Sequence, residues 1–443
     1  MIAGCASDTN PAMDALLTTL GAFALMLVLA RFKVPLAIAV LTGAVCVGFA
    51  FGLPAGEVLL SAGKGAIEPG TVALALIAAC VMALSGMMRA AGQFERIVSL
   101  AGMFFRRPAV TMAALPALVG LLPVPGGALF SAPMVESAAG EKGASPAKLS
   151  AINYWFRHIW EYWWPAYPGV LAALELTRSD FATFAAFQIP MGISMAAAGL
   201  FILRGMHGEF HATHPRAATE TKRRLLMAAA PIWIIMLVAA PASGMVELLP
   251  KGVALDAVGK AVIRFGPIML GLLAAMAWTA CANRLPGRVL RRAWTQRRLF
   301  TTAALVICVM AFRSMLESVG APGKIAAELK VLRVPVELVV AILPFVAGMV
   351  TGIAIGFVGT SFPIVLGLVA AIPAGGALPA YVAMAYAFGH MGQMLSPLHL
   401  CYVLSNEYFK ASTWSVYRQI LPSALATAAI AVAYFFALRV LLA

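Results

Sequence analysis

Two stretches of the chain carry the same uncommon polar chemistry inside apolar surroundings. The first, RHIWEYWWPAYPG, places Arg157, His158 and Glu161 ahead of Pro165 and Pro168, and the second, GHMGQMLSPLHL, places His390, Gln393 and Ser396 ahead of Pro397. Histidine titrates near neutral pH, and a carboxylate three residues away can exchange a proton with it, so H-x-x-E/Q suits proton movement. At about 100° per residue Asn153, Arg157, Glu161 and His158 form one polar stripe, with Arg157 and Glu161 spaced to pair. The prolines that follow remove helical N–H donors and free carbonyls for a cation or water. An intramembrane enzyme using His158 and Glu161 is the competing reading of this pattern. Against it stand the Gln in the second copy and the lack of H-E-x-x-H or G-x-S-x-G sequences.

A second pair of segments, VPGGALFSAP and GFVGTSFP, offers chemistry for anions. Gly126, Gly127 and Ser131 in one, and Gly359, Thr360 and Ser361 in the other, combine close backbone approach with hydroxyl groups. Backbone N–H groups at the start of a half-helix carry partial positive charge and can hold a carboxylate. These six positions, with Asn153 and Arg157, form the expected substrate-binding set; His158, Glu161, His390, Gln393 and Ser396 form the expected ion- or proton-coupling set.

The elements that position these residues follow from composition. Of 443 residues, 62% are apolar and 11% charged, where soluble chains run about 45–50% and 25%. Mean hydropathy is +0.91. Apolar blocks of bilayer-spanning length, without two-residue alternation, predict an all-α polytopic membrane protein and exclude a soluble enzyme or a nucleic-acid-binding domain. Ten spans are expected at 15–31, 34–53, 70–90, 148–176, 180–204, 225–247, 266–283, 299–318, 379–409 and 415–438. Two further stretches, 108–139 and 335–372, are interrupted by Gly and Pro and read as re-entrant hairpins. The net charge of +14 comes from loop Lys and Arg. With both termini outside, most of these fall on the cytoplasmic side, as the positive-inside rule asks. RLPGRVLRRAWTQRR at 284–298 and the 205–224 linker are then cytoplasmic; 284–298 and 54–68 also suit the membrane interface. The polar, acidic N-terminus is not expected to be a cleavable signal, and the IAGC near it is read as coincidence.

A shift of 232 residues lays 119–171 over 351–403 without a gap. It matches Gly120 with Gly352, Gly127 with Gly359, Tyr154 with Tyr386, His158 with His390 and Pro165 with Pro397. The halves, 1–204 and 225–443, would each hold three spans, a hairpin (108–139 or 335–372), a broken span (148–176 or 379–409) and a final span (180–204 or 415–438). Five crossings per half make the second copy inverted, the arrangement of secondary transporters. Other polar residues read more simply. Arg313 and Glu317 form a local i,i+4 pair, Glu136 is a proton site or lies at the cytoplasmic mouth, and the Trp160–Tyr167 aromatics are packing. The six cysteines show no zinc-site spacing, so no metal or cofactor is expected.

The segments GLLPVPGGALFSAPMV, RHIWEYWWPAYPG and SPLHLCYVL resemble the family of prokaryotic integral membrane proteins called domain of unknown function 401. The resemblance covers nearly the whole chain. That family is grouped with the ion transporter superfamily, which implies an elevator mechanism, a dimeric scaffold and a transport domain of two hairpins and two broken helices. Where sodium–dicarboxylate carriers of that superfamily have Ser-Asn-Thr tips, this chain has Gly-Gly-Ala and Gly-Thr-Ser. The expected function is secondary active transport of a small carboxylate-bearing anion across the cytoplasmic membrane of a prokaryote, coupled to H⁺ or Na⁺. Thr360, Ser361 and freed carbonyls would be the ligands if sodium couples. A passive anion channel is the alternative. Cysteine accessibility mapping should place residues 141–149 and 373–378 on opposite faces of the membrane; labelling from the same face would refute the inverted repeat.

Overall fold

The computed structural model describes residues 14–102, 108–121, 127–139, 144–204, 219–247, 255–370 and 378–442. In the first half the helices are α1 (Asp14–Arg31), α2 (Leu36–Ala50), α3 (Ala55–Ile67), α4 (Pro69–Ala90), α5 (Gln93–Gly102), α6 (Pro108–Gly120), α7 (Ala128–Ala139), α8 (Pro146–Arg157), α9 (Pro168–Thr177), α10 (Phe181–Ala198) and α11 (Leu200–Leu203). The second half adds α12 (Thr219–Ala228), α13 (Ala230–Glu247), α14 (Ala257–Ala282), α15 (Gly287–Trp294), α16 (Arg297–Ser318), α17 (Ala321–Val331), α18 (Val336–Thr351), α19 (Ala354–Ala370), α20 (Leu378–Met394), α21 (Leu400–Phe409) and α22 (Thr413–Leu441). The described residues contain no strand. The protein is an all-α polytopic membrane protein.

Recurrent local sequences set the helix ends. Lys33, Gly52, Arg284 and Arg333 all take positive φ, and each is followed two residues later by a proline that caps the next helix. The left-handed residue lets the following N–H reach back to the helix, as Val34 does to Leu29 at 3.1 Å and Leu285 to Ala280 at 2.9 Å. Proline then forbids continuation of the old helix and starts the new one. A basic side chain at three of these four turns also complements the negative helix end.

Six described helical stretches are long and apolar enough to cross a bilayer, and the bent pair α12–α13 makes a seventh. Of the remaining expected spans, 34–53 is the 15-residue α2, while 148–176 and 379–409 are interrupted. Burial separates central from peripheral elements: 78% of the best window of α4 is buried against 28% in α22. Exposed Leu425, Phe436 and Val440 on α22 and Val258, Val262 and Leu270 on α14 therefore suit contact with lipid tails.

Helices α2, α3, α4, α14 and α16 pack on one another, joined by α1 and α13. Around the broken segments, α8 sits against α6, α7, α21 and α22, while α20 sits against α18, α19 and α22. The spacing of the halves persists in the coordinates. Residues 168–177 and 400–409 are both helices, closed by left-handed Arg178 and Lys410 and followed by capping side chains Asp180 and Ser412. Close helix approach is built on glycine: a Cβ on Gly120 would strike the Arg157 carbonyl, and one on Gly348 would strike the carbonyl of Gly389. Gly348→Ala should thus destabilise the purified protein by about 1–3 kcal/mol. Gly63→Ala, where a Cβ meets nothing within 4 Å, should leave the unfolding midpoint essentially unchanged, and equal effects of the two would refute the packing argument.

Candidate functional site

The centre of the molecule is made where both broken segments lose their helical hydrogen bonds. Helix α8 ends at Arg157, and the chain runs through turns from His158 to Tyr167 before α9 begins at Pro168. The break thus starts seven residues ahead of Pro165. This corrects the single polar stripe expected on one helix: Glu161 lies in the turns, so it and Arg157 are not i,i+4 neighbours on a helix. The second break is shorter, Leu395 to His399, between α20 and α21.

Each proline leaves a carbonyl without its helical donor, and a tyrosine from the other half supplies a donor nearby. Tyr386 donates its hydroxyl to the Glu161 carbonyl at 2.8 Å, and Tyr154 donates to the Met394 carbonyl at 3.0 Å. The two tyrosines are matched by the 232-residue shift, so the exchange is reciprocal across the halves. Both rings are fully buried.

Between these clasps Glu161 meets its own counterpart. Gln393 donates its side-chain amide to Glu161 Oε2 at 2.7 Å. The matched histidines flank the carboxylate, His158 Nε2 at 3.8 Å from Oε1 and His390 Nε2 at 3.7 Å from Oε2. Only 8% of Glu161 and 1% or less of either histidine is exposed. A carboxylate this far from water needs such donors to remain in place.

Beside this cluster lies a cationic and amide-lined wall. Arg157 is buried, and its guanidinium packs on Gly127, where a Cβ would collide with it. Ser131 donates to Asn153 Oδ1 at 2.5 Å, and Asn153 donates to the Ala128 carbonyl at 3.0 Å and to Ser405 Oγ at 2.9 Å. Ser150 donates to Asn406 at 2.6 Å, so hydrogen bonds tie α8 to both α7 and α21. In the other half, a Cβ on left-handed Gly352 would approach Ser396 Oγ and His399. Ser396 Oγ in turn accepts from the Leu398 N–H at 3.2 Å.

The structure therefore gathers Gly127, Ser131, Asn153, Arg157, His158, Glu161, His390, Gln393 and Ser396 around the two breaks, with Pro165, Pro168 and Pro397 setting those breaks. Gly126 lies outside the described residues, as do 205–218 of the linker. The second glycine-rich segment is placed differently from expectation. The interruption falls at Gly352–Ile353, and Gly359, Thr360 and Ser361 lie within α19. Gly359 faces Val309 of α16, Thr360 donates to the Gly356 carbonyl at 2.8 Å, and Ser361 donates to that of Phe357 at 2.6 Å. Hydroxyls satisfied within their own helix are poor candidates for a ligand.

Arg313 and Glu317 pair at 3.0 Å as expected. Glu136 accepts from the Tyr408 hydroxyl at 2.7 Å at an exposed position. Of the aromatic run, Trp160 and Trp163 meet edge to face, and Tyr162 lies 4.5 Å from the His390 ring. Sequence reasoning missed His399 and Cys401. His399 Nε2 lies 3.1 Å from His158 Nε2, and Cys401 packs beside Arg157 and His158. The residue matched to His399 is Tyr167, so self-comparison gives no signal for it. It also missed Glu175 of α9, buried and paired with Arg264 of α14 at 3.1 Å.

The sequence matches the family described as Protein of unknown function (DUF401) over residues 14–240 and 242–438. The chain belongs to that family. No curated protein matches this DUF401 member. Among solved structures it is similar to the YdaH transporter of Alcanivorax borkumensis, whose crystal structure is described as having an unusual topology. The two share 14% identity over 88% of this chain and 89% of that one, with a TM-score of 0.58, a likeness of fold.

Tyr154→Phe and Tyr386→Phe should each destabilise the protein by about 1–3 kcal/mol, the cost of leaving a buried carbonyl without a donor. Denaturant titration of the purified variants checks this, and two neutral substitutions would show that the clasps carry no weight.

Proposed function

We propose that this DUF401 protein is a secondary active transporter of a small carboxylate-bearing anion, driven by H⁺ or Na⁺. The observation that carries the reading is the contact of Glu161 with its repeat counterpart Gln393, flanked by matched His158 and His390, at two helix breaks deep in a membrane protein. Ionisable groups at membrane depth are costly and mark ion or proton pathways. Discontinuous helices that meet at a repeat interface are where such carriers bind substrate and coupling ion.

In this mechanism the guanidinium of Arg157 and the α7 start at Gly127 receive the carboxylate of the solute, with Asn153 and Ser131 as polar neighbours. Glu161 and the two histidines hold the coupling proton, because the carboxylate lies within 4 Å of both imidazoles and a proton can pass between them. With sodium as the coupling ion, freed carbonyls at the breaks and Ser396 supply oxygen ligands instead. The two halves face opposite leaflets, and the layer containing α7, α8, α18–α22 and α9 slides against the packed α2, α3, α4, α14 and α16 as an elevator. The latter group forms a homodimeric scaffold in the cytoplasmic membrane. The fold likeness to a protein named as a transporter supports this reading.

Purified protein in proteoliposomes should show saturable uptake of an organic anion, from a panel of mono- and dicarboxylates, only when a proton or sodium gradient is imposed. Glu161→Gln, and His158→Ala combined with His390→Ala, should each cut proton-driven uptake by about tenfold or more, the weight of a positioned proton-transfer group. Gradient-independent flux would replace the carrier with a channel, and full activity in both variants would remove these residues from coupling.

A further inference from the structure

His399 and Cys401 are left unused by the transport reading, yet with His158 they form a convergent donor set. His158 Nε2, His399 Nε2 and Cys401 Sγ lie within 4.8 Å of one another, and all three residues are buried. His158 comes from the first break, His399 caps α21 at the end of the second, and Cys401 sits in the first turn of α21. The three thus join the halves of the chain at one point.

Proton positions follow from the partners. His158 Nδ1 lies 2.6 Å from the Tyr154 carbonyl. A carbonyl only accepts, so Nδ1 carries the hydrogen and the Nε2 lone pair of His158 is directed at His399 Nε2. A histidine whose other nitrogen is held by a carbonyl is the usual arrangement of a metal ligand. His399 Nδ1 has no hydrogen-bond partner among the described residues, so this buried ring makes its polar interaction through Nε2. Two nitrogens could share a proton, but a proton makes no use of a third donor, and here a thiol points at the same spot.

The distances suit a single ion. Zinc with Zn–N near 2.0–2.1 Å and Zn–S near 2.3 Å places tetrahedral ligand atoms about 3.3–3.6 Å apart, and the two Nε2 atoms are 3.1 Å apart. Glu161 Oε1, 3.8 Å from His158 Nε2, is at hand for a fourth position. A thiolate and a carboxylate together offset both charges of the ion. The sulfur charge also faces the positive end of α21 and the Arg157 guanidinium.

We infer that His158, His399 and Cys401 form a binding site for a thiophilic divalent cation of the Zn²⁺ class, with Glu161 as its fourth ligand. Bound there, the ion ties the two broken segments together and occupies His158 Nε2 and Glu161, so the proton-carrying role proposed above belongs to the metal-free protein. Two imidazoles and a thiolate favour zinc or cobalt over magnesium or calcium, which take oxygen ligands.

The test uses full-length protein stripped with chelator and titrated with Co²⁺, followed by Zn²⁺. One equivalent of Co²⁺ per chain should bind with a thiolate-to-cobalt charge-transfer band and tetrahedral ligand-field bands, both bleached by one equivalent of Zn²⁺. Cys401→Ser should abolish the charge-transfer band, and His399→Gln should weaken binding by about 10–100-fold. X-ray absorption of the Zn²⁺-loaded wild type should show one sulfur in the ligand shell, a readout that needs no variant to fold. Absence of the band in the wild type, its survival in Cys401→Ser, or a shell without sulfur would overturn the site. None of these readouts involves transport, so their failure leaves the carrier reading standing.

Discussion

A carboxylate held deep in a membrane protein constrains everything around it. Glu161 keeps its place because Gln393, His158 and His390 surround it, and those residues keep theirs because two helices stop where they do. In hydrocarbon an unsatisfied polar group costs several kcal/mol, so the breaks, the tyrosine donors and the glycine contacts form one interdependent solution. Because α8 stops at Arg157, Glu161 lies in turns rather than on a helix face.

The same constraint explains the density of polar side chains on α8 and α21. Ser131, Asn153 and Ser405 bond in one chain and Ser150 bonds Asn406 beside it, and a half-satisfied network at a buried site would be worse than an apolar one. Gly120 lets α6 come close to the end of α8, and Gly348 does the same for α18 on α20.

Much of this was legible in the chain. Apolar blocks gave the helices, since bilayer length and backbone satisfaction leave few alternatives, and the 232-residue match named His158, His390, Glu161 and Gln393 before their contact was seen. Two things were not legible. Proline marks where a helix cannot continue, but the chain departs from helical geometry as soon as tertiary donors replace the ladder, and so α8 ended at Arg157 well before Pro165. Likewise, the interruption expected around Gly352, Gly356, Gly359 and Pro363 falls at the first of these, left-handed Gly352, while Gly359-Thr360-Ser361 continues as helix. His399 and Cys401 lay beyond reach for a simpler reason: their partner His158 is 241 residues away from His399, and only the fold supplies that proximity.

The two copies also differ where resemblance would be most expected. Glu161 and Gln393, matched by the 232-residue shift, touch each other, and two carboxylates about 3 Å apart cannot both ionise. Glutamate at both positions would set like charges against each other. Exchange of one glutamate for an isosteric amide relieves that conflict and preserves the shape, and it leaves the molecule with a single charged partner and a neutral one. The contact between these matched positions is therefore also a place where the two segments must differ, one member carrying the charge and the other only the shape.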